Sequence, residues 1–227
     1  MSKNLSPKIL FEDAHVAVLS KPAGLLSQGA GKNDLSLVDW LREHFGRNYV
    51  GLVHRLDRNV SGVMVVAKRS KAAARLTQAL QEGKIHGRYR GWILGRLKGE
   101  RRWRHRLHKN EGKNEVTVIP PGTKKGKEAV LLVRPLASGR WYGKVLTLAE
   151  FRLETGRSHQ IRVQSAFEGH PLLGDVKYGK SLPNEPNHFP RPALHAYEIV
   201  FPHPMSGVEL CFKEDLPKDM AGLKEAK

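Results

Sequence analysis

The alternation of apolar and polar residues along the chain predicts a mixture of strands and helices. Residues 9–21 (ILFEDAHVAVLSK) have the pattern of strand, turn and strand, and the Lys-Pro-Ala-Gly sequence of residues 21–24 ends the second strand. Apolar residues at helical spacing predict one helix from a Ser36 cap to Gly46 and another from a Ser70 cap to Gly83. We interpret the apolar positions of the first helix as core packing.

Further strands are predicted wherever β-branched and apolar residues cluster between turn signals. They are expected at residues 62–67, 89–94, 116–120, 130–136 and 145–153, with closing strands in residues 191–217. A basic turn is expected at residues 121–127, a helix after Thr155-Gly156-Arg157, and a Pro-rich loop at residues 181–192. The strand count predicts an α+β fold in which helices flank a large, mixed, mostly antiparallel sheet. We expect residues 1–227 to form a single domain.

The formal net charge of +17 makes a polyanion the expected partner. Nucleic acid is favoured, and an anionic membrane surface is the competitor. Membrane binding would call for a basic amphipathic helix or a lipidation signal, and we find no convincing instance of either. With 40% apolar residues and no membrane-length apolar run, the composition is that of a globular protein.

Cysteine usage and the N-terminal sequence favour a cytoplasmic location. Cys211 is the only cysteine, so the chain has neither an intrachain disulfide nor a cysteine-rich zinc site. The first residues, MSKNLSPKILFED, lack the uninterrupted apolar core of a signal peptide.

Residues 52–68 (LVHRLDRNVSGVMVVAK) place a charged cluster where a turn meets an apolar strand. Side chains at a strand end are held firmly and stay reachable by a ligand. Asp57 lies between Arg55 and Arg58, and their positive charge favours its ionised form. Such a carboxylate can act as nucleophile, general base or ion-pair partner. From these residues alone, an ordinary surface ion pair is the favoured interpretation.

The most basic stretch is residues 96–109 (RLKGERRWRHRLHK), with seven lysines or arginines and one glutamate. A charge run usually forms a solvated face. Here Trp103 lies among the cations, a pattern suited to phosphate contacts combined with stacking on an unpaired base. His105 and His108 lack a cysteine or carboxylate set at suitable spacing, so we expect no metal site.

The His54-to-Gly62 sequence, HRLDRNVSG, followed by an apolar strand, closely resembles the signature of the RluA-type RNA pseudouridine synthases. A second stretch, ETGRSHQIRVQSAFEGHPLLGDVKYG at residues 154–179, resembles that family's Thr-Gly-Arg-x-His-Gln-Ile-Arg element. The resemblance covers nearly the whole chain, without the accessory RNA-binding module that many relatives carry ahead of the catalytic domain. It implies a domain with a central cleft.

The resemblance also implies the roles of individual residues. Asp57 is the implied catalytic residue, Tyr89 stacks on the target base, and Arg162 pairs with Asp57. A fork of N–H donors suits an arginine to holding a carboxylate in one rotamer. Arg55 is implied to fill the space left by the flipped base, and Arg55 and Arg58 are assigned to substrate binding.

The implied activity is the isomerisation of specific uridines to pseudouridine in a structured RNA, either ribosomal or transfer RNA. It needs no cofactor or metal, and we expect a monomer. The sequence leaves three routes open for Asp57: attack on the base, attack on the anomeric carbon, and a glycal route. Two other classes compete: an RNA chaperone without catalysis, and a glycoside hydrolase, which would need a second carboxylate such as Asp175.

Overall fold

The computed structural model describes residues 5–29, 35–123, 125–179 and 188–224, and these form two compact units. The first comprises the described residues of Met1–Gly87 and His195–Asp215, and the second those of Arg88–Leu194 and Leu216–Lys227. The strands are β1 (Lys8–Glu12), β2 (Val16–Lys21), β3 (Gly51–Leu52), β4 (Ser61–Ala67), β5 (His86–Leu94), β6 (Arg101–Asn110), β7 (Glu115–Ile119), β8 (Lys127–Trp141), β9 (Lys144–Leu153), β10 (Leu194–Pro202) and β11 (Glu209–Lys213).

Four α-helices complete the described part of the chain. They are α1 (Leu37–Phe45), α2 (Ser70–Gln81), α3 (Gln160–Phe167) and α4 (Lys218–Ala221), the last followed by a 3₁₀ turn at Gly222–Lys224. None of the described helices has the length and apolar content needed to cross a bilayer. The predicted α+β class, with a mixed and mostly antiparallel sheet, is confirmed.

Strand β4 is the centre of the first unit. It pairs antiparallel with β2 on one side, and with parallel β10 and the short β3 on the other, while β1 and β11 extend the sheet at either end. All seven residues of β4 are buried, as its apolar sequence predicts. Its side chains form a core with apolar residues of β2, β10 and α2, which packs through Ala72 and Leu76.

The two helices of the first unit differ in how they begin. Ser36 caps α1 in a reciprocal capping box with Asp39, and Gly46 ends the helix in the left-handed conformation (φ 58°), both as the sequence predicts. In α2 the cap position is Arg69, which makes no side-chain capping bond, and Ser70 is the first helical residue. The prediction of a Ser70 cap is therefore wrong by one position.

The second unit is an antiparallel sheet in the order β5-β9-β8-β6-β7. One face packs on α3 through a small core of Leu107, Val116, Ala129 and Val163. At one end of the opposite face, Trp92 joins apolar residues of β9 and the C-terminal segment in a second core. The Trp92 indole donates a hydrogen bond to the Met220 carbonyl (2.9 Å), which satisfies a polar group that is fully buried.

Two predictions for the second unit need correction. Strand β8 runs from residue 127 to residue 141, and the predicted strand at residues 130–136 covers only its middle, because the chain continues past a bulge at Pro135. The basic stretch at residues 96–109 largely forms β6, which lies between β8 and β7. Trp103 points into the core and is only 5% exposed, so its ring has no free face for base stacking. The Pro-rich loop at residues 181–192 lies mostly outside the described residues.

Candidate active site

Asp57 lies in the loop between β3 and β4, four residues before the buried strand begins. Its carbonyl accepts a hydrogen bond from the Val60 amide (3.1 Å), which closes a tight turn, and the residue is half-buried. The neighbouring Leu56 and Val60 are 5% and 2% exposed. The two apolar anchors therefore fix the loop on the core, while the Asp57 carboxylate lies at its surface.

A buried lysine connects this loop to the preceding turn. Lys21 is fully buried, and its ammonium group donates hydrogen bonds to the carbonyls of Pro22 (2.9 Å), Leu25 (2.9 Å) and Arg58 (3.1 Å). The Ser27 hydroxyl donates to the carbonyl of Leu56 (2.7 Å). An ammonium group has three donors and is costly to bury unless they are satisfied. These bonds hold the backbone on both sides of Asp57.

His54, the first residue of the charged cluster, is held in its neutral form. Its Nε2 accepts a hydrogen bond from the Val65 amide of β4 (3.1 Å), so a neutral ring carries its proton on Nδ1. Desolvation of the buried imidazole lowers its pKa to about 4. His54 thus anchors the start of the loop to β4 and is uncharged at neutral pH.

The two arginines that flank Asp57 are both exposed. Arg58 donates from Nε to the Gly24 carbonyl (3.1 Å), and the Gly24 amide donates to the Arg58 carbonyl (2.8 Å). Arg58 is therefore partly engaged in holding the turn of residues 21–24. Arg55 makes no ion pair with the described residues, and its guanidinium is accessible to a ligand.

Glycine is required where β4 begins. Gly62 has φ 125°, and a Cβ atom there would lie 2.2 Å from the Ala196 carbonyl oxygen of the parallel strand β10. No side chain fits in that distance, and the conformation itself disfavours other residues. The Ser-Gly pair that follows the charged cluster thus allows β4 and β10 to approach closely just behind the Asp57 loop.

In the second unit, the second signature forms a network around Arg162 on α3. The Arg162 guanidinium forks onto Asp175, with Nε 2.7 Å from Oδ2 and NH2 2.9 Å from Oδ1. It also lies over the ring of Tyr178, 5.1 Å from the centroid. Asp175 is 1% exposed and accepts further bonds from the Lys177 and Tyr178 amides. The guanidinium is held in one orientation by a carboxylate and an aromatic ring.

Two polar residues of the same signature shape the start of α3. Gln160 is 2% exposed, and its Oε1 accepts bonds from the Thr155 hydroxyl and the Arg157 amide, both at 3.0 Å. His159 adopts a left-handed conformation (φ 51°), and its Nδ1 lies 2.6 Å from the Tyr178 hydroxyl. That hydroxyl also accepts a hydrogen bond from the Val116 amide (3.1 Å). Gln160 is therefore a structural residue of the turn.

Tyr89 lies on β5 in register with Phe151 of β9 and is half-buried. Phe151 in turn is in register with Val133, which shares a sheet face with Ala129 in the α3 core. Tyr89 and α3 are thus on the same face of the second unit's sheet. Asp57 belongs to the first unit and Arg162 to the second, and their pairing remains a prediction.

The sequence did not predict the supporting roles of three residues: Lys21, His54 and Asp175. The buried lysine stands in the Lys-Pro-Ala-Gly turn, and a lysine before a turn carries no sequence signal of burial. Asp175 was considered only as a second carboxylate, and its position within the second signature was the available clue. Among the described residues there is no group of three histidine, cysteine or acidic side chains that could hold a metal ion.

Comparison with known proteins gives a consistent result. The family model for RNA pseudouridylate synthases matches residues 15–167. The chain is 34% identical over 233 residues to the ribosomal large subunit pseudouridine synthase D of Vibrio parahaemolyticus. This alignment covers 96% of this chain and 70% of that protein. The chain is 36% identical over 233 residues to the protein of the same name from Zymomonas mobilis, covering 94% and 70%.

Solved structures agree on the fold. The human RNA pseudouridylate synthase domain containing 1 matches with a TM-score of 0.79 at 22% identity, covering 97% of this chain and 88% of that chain. The human domain containing 4 matches with a TM-score of 0.76 at 21% identity, covering 94% and 90%. At these identities the likeness shows the fold.

Proposed function

Because this chain belongs to the RNA pseudouridylate synthase family and converts uridine to pseudouridine in RNA, we propose that Asp57 is its catalytic residue. The observation that carries this proposal is the way the loop is held. Backbone carbonyls on both sides of Asp57 accept bonds from buried donors of Lys21 and Ser27. A carboxylate on a fixed loop beside a buried strand can be aimed at a sugar or base without a large entropic cost.

Asp57 would act on the uridine nucleotide, either as a nucleophile or as a general base, so that the base is freed for rotation. The N-glycosidic bond breaks, the uracil turns, and its carbon 5 bonds to the sugar before losing its proton to a base. An ionised carboxylate serves each of the three routes left open by the sequence, as nucleophile or as general base. We expect the reaction to need no cofactor or metal.

For Arg162 we propose the role of ion-pair partner to Asp57. An arginine has five N–H donors, and the fork onto Asp175 uses two nitrogens on one side of the guanidinium. A second carboxylate can therefore be bound by a guanidinium that is already oriented. Asp175 would act through Arg162 as a positioning residue.

Tyr89 is the proposed platform for the target base, with Arg55 and Arg58 as substrate-binding residues. The Tyr89 ring is half-buried on the sheet face that carries α3, and a base flipped out of its stack needs such an aromatic surface. Arg55 is exposed two residues before Asp57, which suits it to occupy the gap left in the RNA.

The two other classes considered from the sequence receive less support. A glycoside hydrolase uses a second carboxylate as general acid or base. Asp175 is nearly fully buried, and both of its oxygens accept bonds from Arg162. Both oxygens of Asp175 are thus occupied by Arg162, which does not suit Asp175 to act as general acid or base. An RNA chaperone without catalysis has no use for the fixed Asp57 loop.

We propose ribosomal RNA of the large subunit as the substrate to test first, with transfer RNA second, since the two bacterial relatives are named as large-subunit ribosomal enzymes. We also propose a monomer that acts in the cytoplasm. Purified protein is incubated with ribosomal and transfer RNA transcripts tritiated at carbon 5 of uridine. Release of tritium from ribosomal RNA, with the site mapped by carbodiimide treatment, supports the proposal. Release from transfer RNA alone rejects the ribosomal substrate, and no release from either rejects both.

A further inference from the structure

The second unit contains an arginine-lined cavity of about 440 Å³, which we call the arginine cavity. Its arginines are Arg88, Arg101, Arg102, Arg134 and Arg152. It opens on the strands β5, β9, β8 and β6. Neither the signature around Asp57 nor the network around Arg162 contributes a residue to it.

The register of the strands explains how this cavity forms. Arg88 is opposite Arg152, Arg152 is opposite Leu132, and Leu132 is opposite Arg102, so these four residues form one row across the sheet. Neighbouring strands lie about 4.8 Å apart, and the row is therefore about 14 Å long. Tyr89, the next residue after Arg88, points to the other face of the sheet. The row of Arg88, Arg152 and Arg102 is thus on the sheet face opposite Tyr89, whereas Arg101 is opposite Val133 and belongs to the row of Phe151 and Tyr89.

A second row across the sheet has a buried carboxylate, Glu150, at its centre. Glu150 is directly opposite Arg90 on one side and Arg134 on the other. It accepts a hydrogen bond from Arg134 (2.8 Å) and lies 3.7 Å from Arg88. Glu100 also lines the cavity, and Glu154 pairs with Arg102, so three carboxylates face five arginines. Positive charge is therefore left over at the cavity.

Two exposed arginines of the cavity, Arg101 and Arg152, make no ion pair within the described part of the chain. The hydrogen bond and charge of Arg102 lower the pKa of the Glu154 carboxyl, and the charge of Arg152 adds to that effect. The side chains of Arg102 and Arg134, which do have carboxylate partners, are still 54% and 51% exposed. Guanidinium groups that face water in a concave site are suited to bidentate binding of phosphate oxygens.

We propose that the arginine cavity binds backbone phosphates of the RNA substrate at nucleotides flanking the target uridine. This proposal rests on the proposed function, in which RNA is the substrate. The row of arginines along 14 Å matches a ligand with repeated negative charges better than a single small anion. Because the row of Arg88, Arg152 and Arg102 is on the face opposite Tyr89, RNA bound there reaches round the sheet. Binding energy from this remote contact orients the RNA without touching the reacting nucleotide.

The test compares two pairs of substitutions with equal loss of charge. Arg102→Ala with Arg152→Ala removes two exposed arginines of the row that lies on the face opposite Tyr89. Arg140→Ala with Arg47→Ala removes two exposed arginines outside the cavity, and neither has an ion pair among the described residues. The probe is a fluorescein-labelled transcript of large-subunit ribosomal RNA, and Kd is measured by anisotropy at several salt concentrations. This measurement does not depend on turnover, so it is separate from the test of the catalytic activity.

For the cavity pair we expect the Kd to rise about tenfold at 0.1 M salt, and the slope of log K against log salt to become shallower by about 1 to 2. The single-turnover rate at saturating enzyme stays within twofold of wild type. Equal changes in both pairs would show a general charge effect and overturn the proposal. A large fall in the saturated rate for the cavity pair alone would also overturn it.

A small phosphate compound is the alternative ligand whose phosphate oxygens the cavity could bind. Calorimetric titration of the wild-type protein with ATP and with inorganic phosphate distinguishes it from RNA. Micromolar binding of either compound, abolished in the cavity pair while RNA affinity is unchanged, would assign the cavity to a small phosphate ligand. Weak or no binding of both compounds, together with the expected loss of RNA affinity, supports the RNA phosphate site.

Discussion

Arg162 grips Asp175 through two parallel hydrogen bonds, at 2.7 and 2.9 Å, and the carboxylate is almost fully buried. Thirteen residues separate the two along the chain, so the pair also connects α3 to the loop that follows it. A buried charge pair is weak evidence for stability, but breaking it leaves an uncompensated charge. The pair is best understood as the device that fixes the guanidinium in one orientation.

Asp175→Asn tests that interpretation. An amide offers one acceptor and a donor that faces the guanidinium's own donors, so the fork is lost. We expect the free energy of unfolding to fall by about 3 kcal/mol, and the single-turnover rate to fall about tenfold to a hundredfold as Arg162 loses its fixed position. Urea unfolding and rapid-quench assays measure these. The exposed Asp215→Asn is the matched control. A variant with wild-type rate would show that Asp175 does not position Arg162.

Lys21→Met should loosen the Asp57 loop. The substitution keeps the length of the side chain and removes three donors, which leaves the carbonyls of Pro22, Leu25 and Arg58 without this partner. Hydrogen bonds from a charged donor contribute about 1.5–3 kcal/mol each, partly offset by the lower cost of burying a neutral chain. We expect a net loss of about 2–4 kcal/mol in urea unfolding. Lys8→Met on the exposed edge of β1 should change little. Equal stability of the two variants would contradict the role given to Lys21.

His54 makes stability depend on pH in a defined window. Its folded-state pKa is lowered from 6.5 to about 4, so between these pH values His54 is protonated in the unfolded chain and neutral in the folded chain. The contribution is fully present above pH 6.5 and is lost as the pH falls towards 4, by about 3 kcal/mol in all. His54→Gln does not titrate, so its unfolding free energy should fall less steeply than that of wild type between pH 6.5 and 5. The exposed His86→Gln should keep the wild-type slope. Identical slopes for all three proteins would show that His54 is not buried in its neutral form.

Gly62→Ala should prevent folding of the first unit. A methyl group would lie 2.2 Å from the Ala196 carbonyl, and both strands are fixed by their neighbours. Gly169→Ala is the control for the backbone effect alone: its φ is 78°, and nothing lies within 4 Å of the added carbon. The control should cost about 1–2 kcal/mol. Soluble, cooperatively folded Gly62→Ala protein would mean that β4 and β10 are not this close.

The sequence predicted most elements because their signals are local. The run of apolar residues in β4 and the capping box of α1 leave little choice of structure. The sequence did not predict β6 as a strand because its five lysines and arginines obscure the alternation of buried and exposed residues. Trp103, His105 and Leu107 do alternate with arginines, and that period of two was the available signal. The full length of β8 was obscured by Pro135, a residue that usually ends a strand.

The candidate site likewise contains residues that the sequence predicted and residues that it did not. Asp57, Tyr89 and Arg162 were named from a resemblance, and the structure places them on a clamped loop, a strand and a helix. The partners that hold them were not predictable, because Lys21 and Asp175 act through contacts that exist only after folding. Which carbonyls surround an ammonium, or which carboxylate meets an arginine, depends on the packing of separate segments.

The central claim, that Asp57 performs the chemistry, is tested most directly by Asp57→Asn. The amide has the same shape and cannot act as a carboxylate nucleophile or base. Purified variant and wild-type protein are incubated at saturating concentration with the ribosomal RNA transcript, and pseudouridine is mapped over time. We predict a folded variant that binds the RNA as tightly as wild type or more tightly, since a negative charge near phosphate is removed, and that forms no detectable pseudouridine. Product at near wild-type rate would contradict the claim and make Asp57 a structural ion-pair residue.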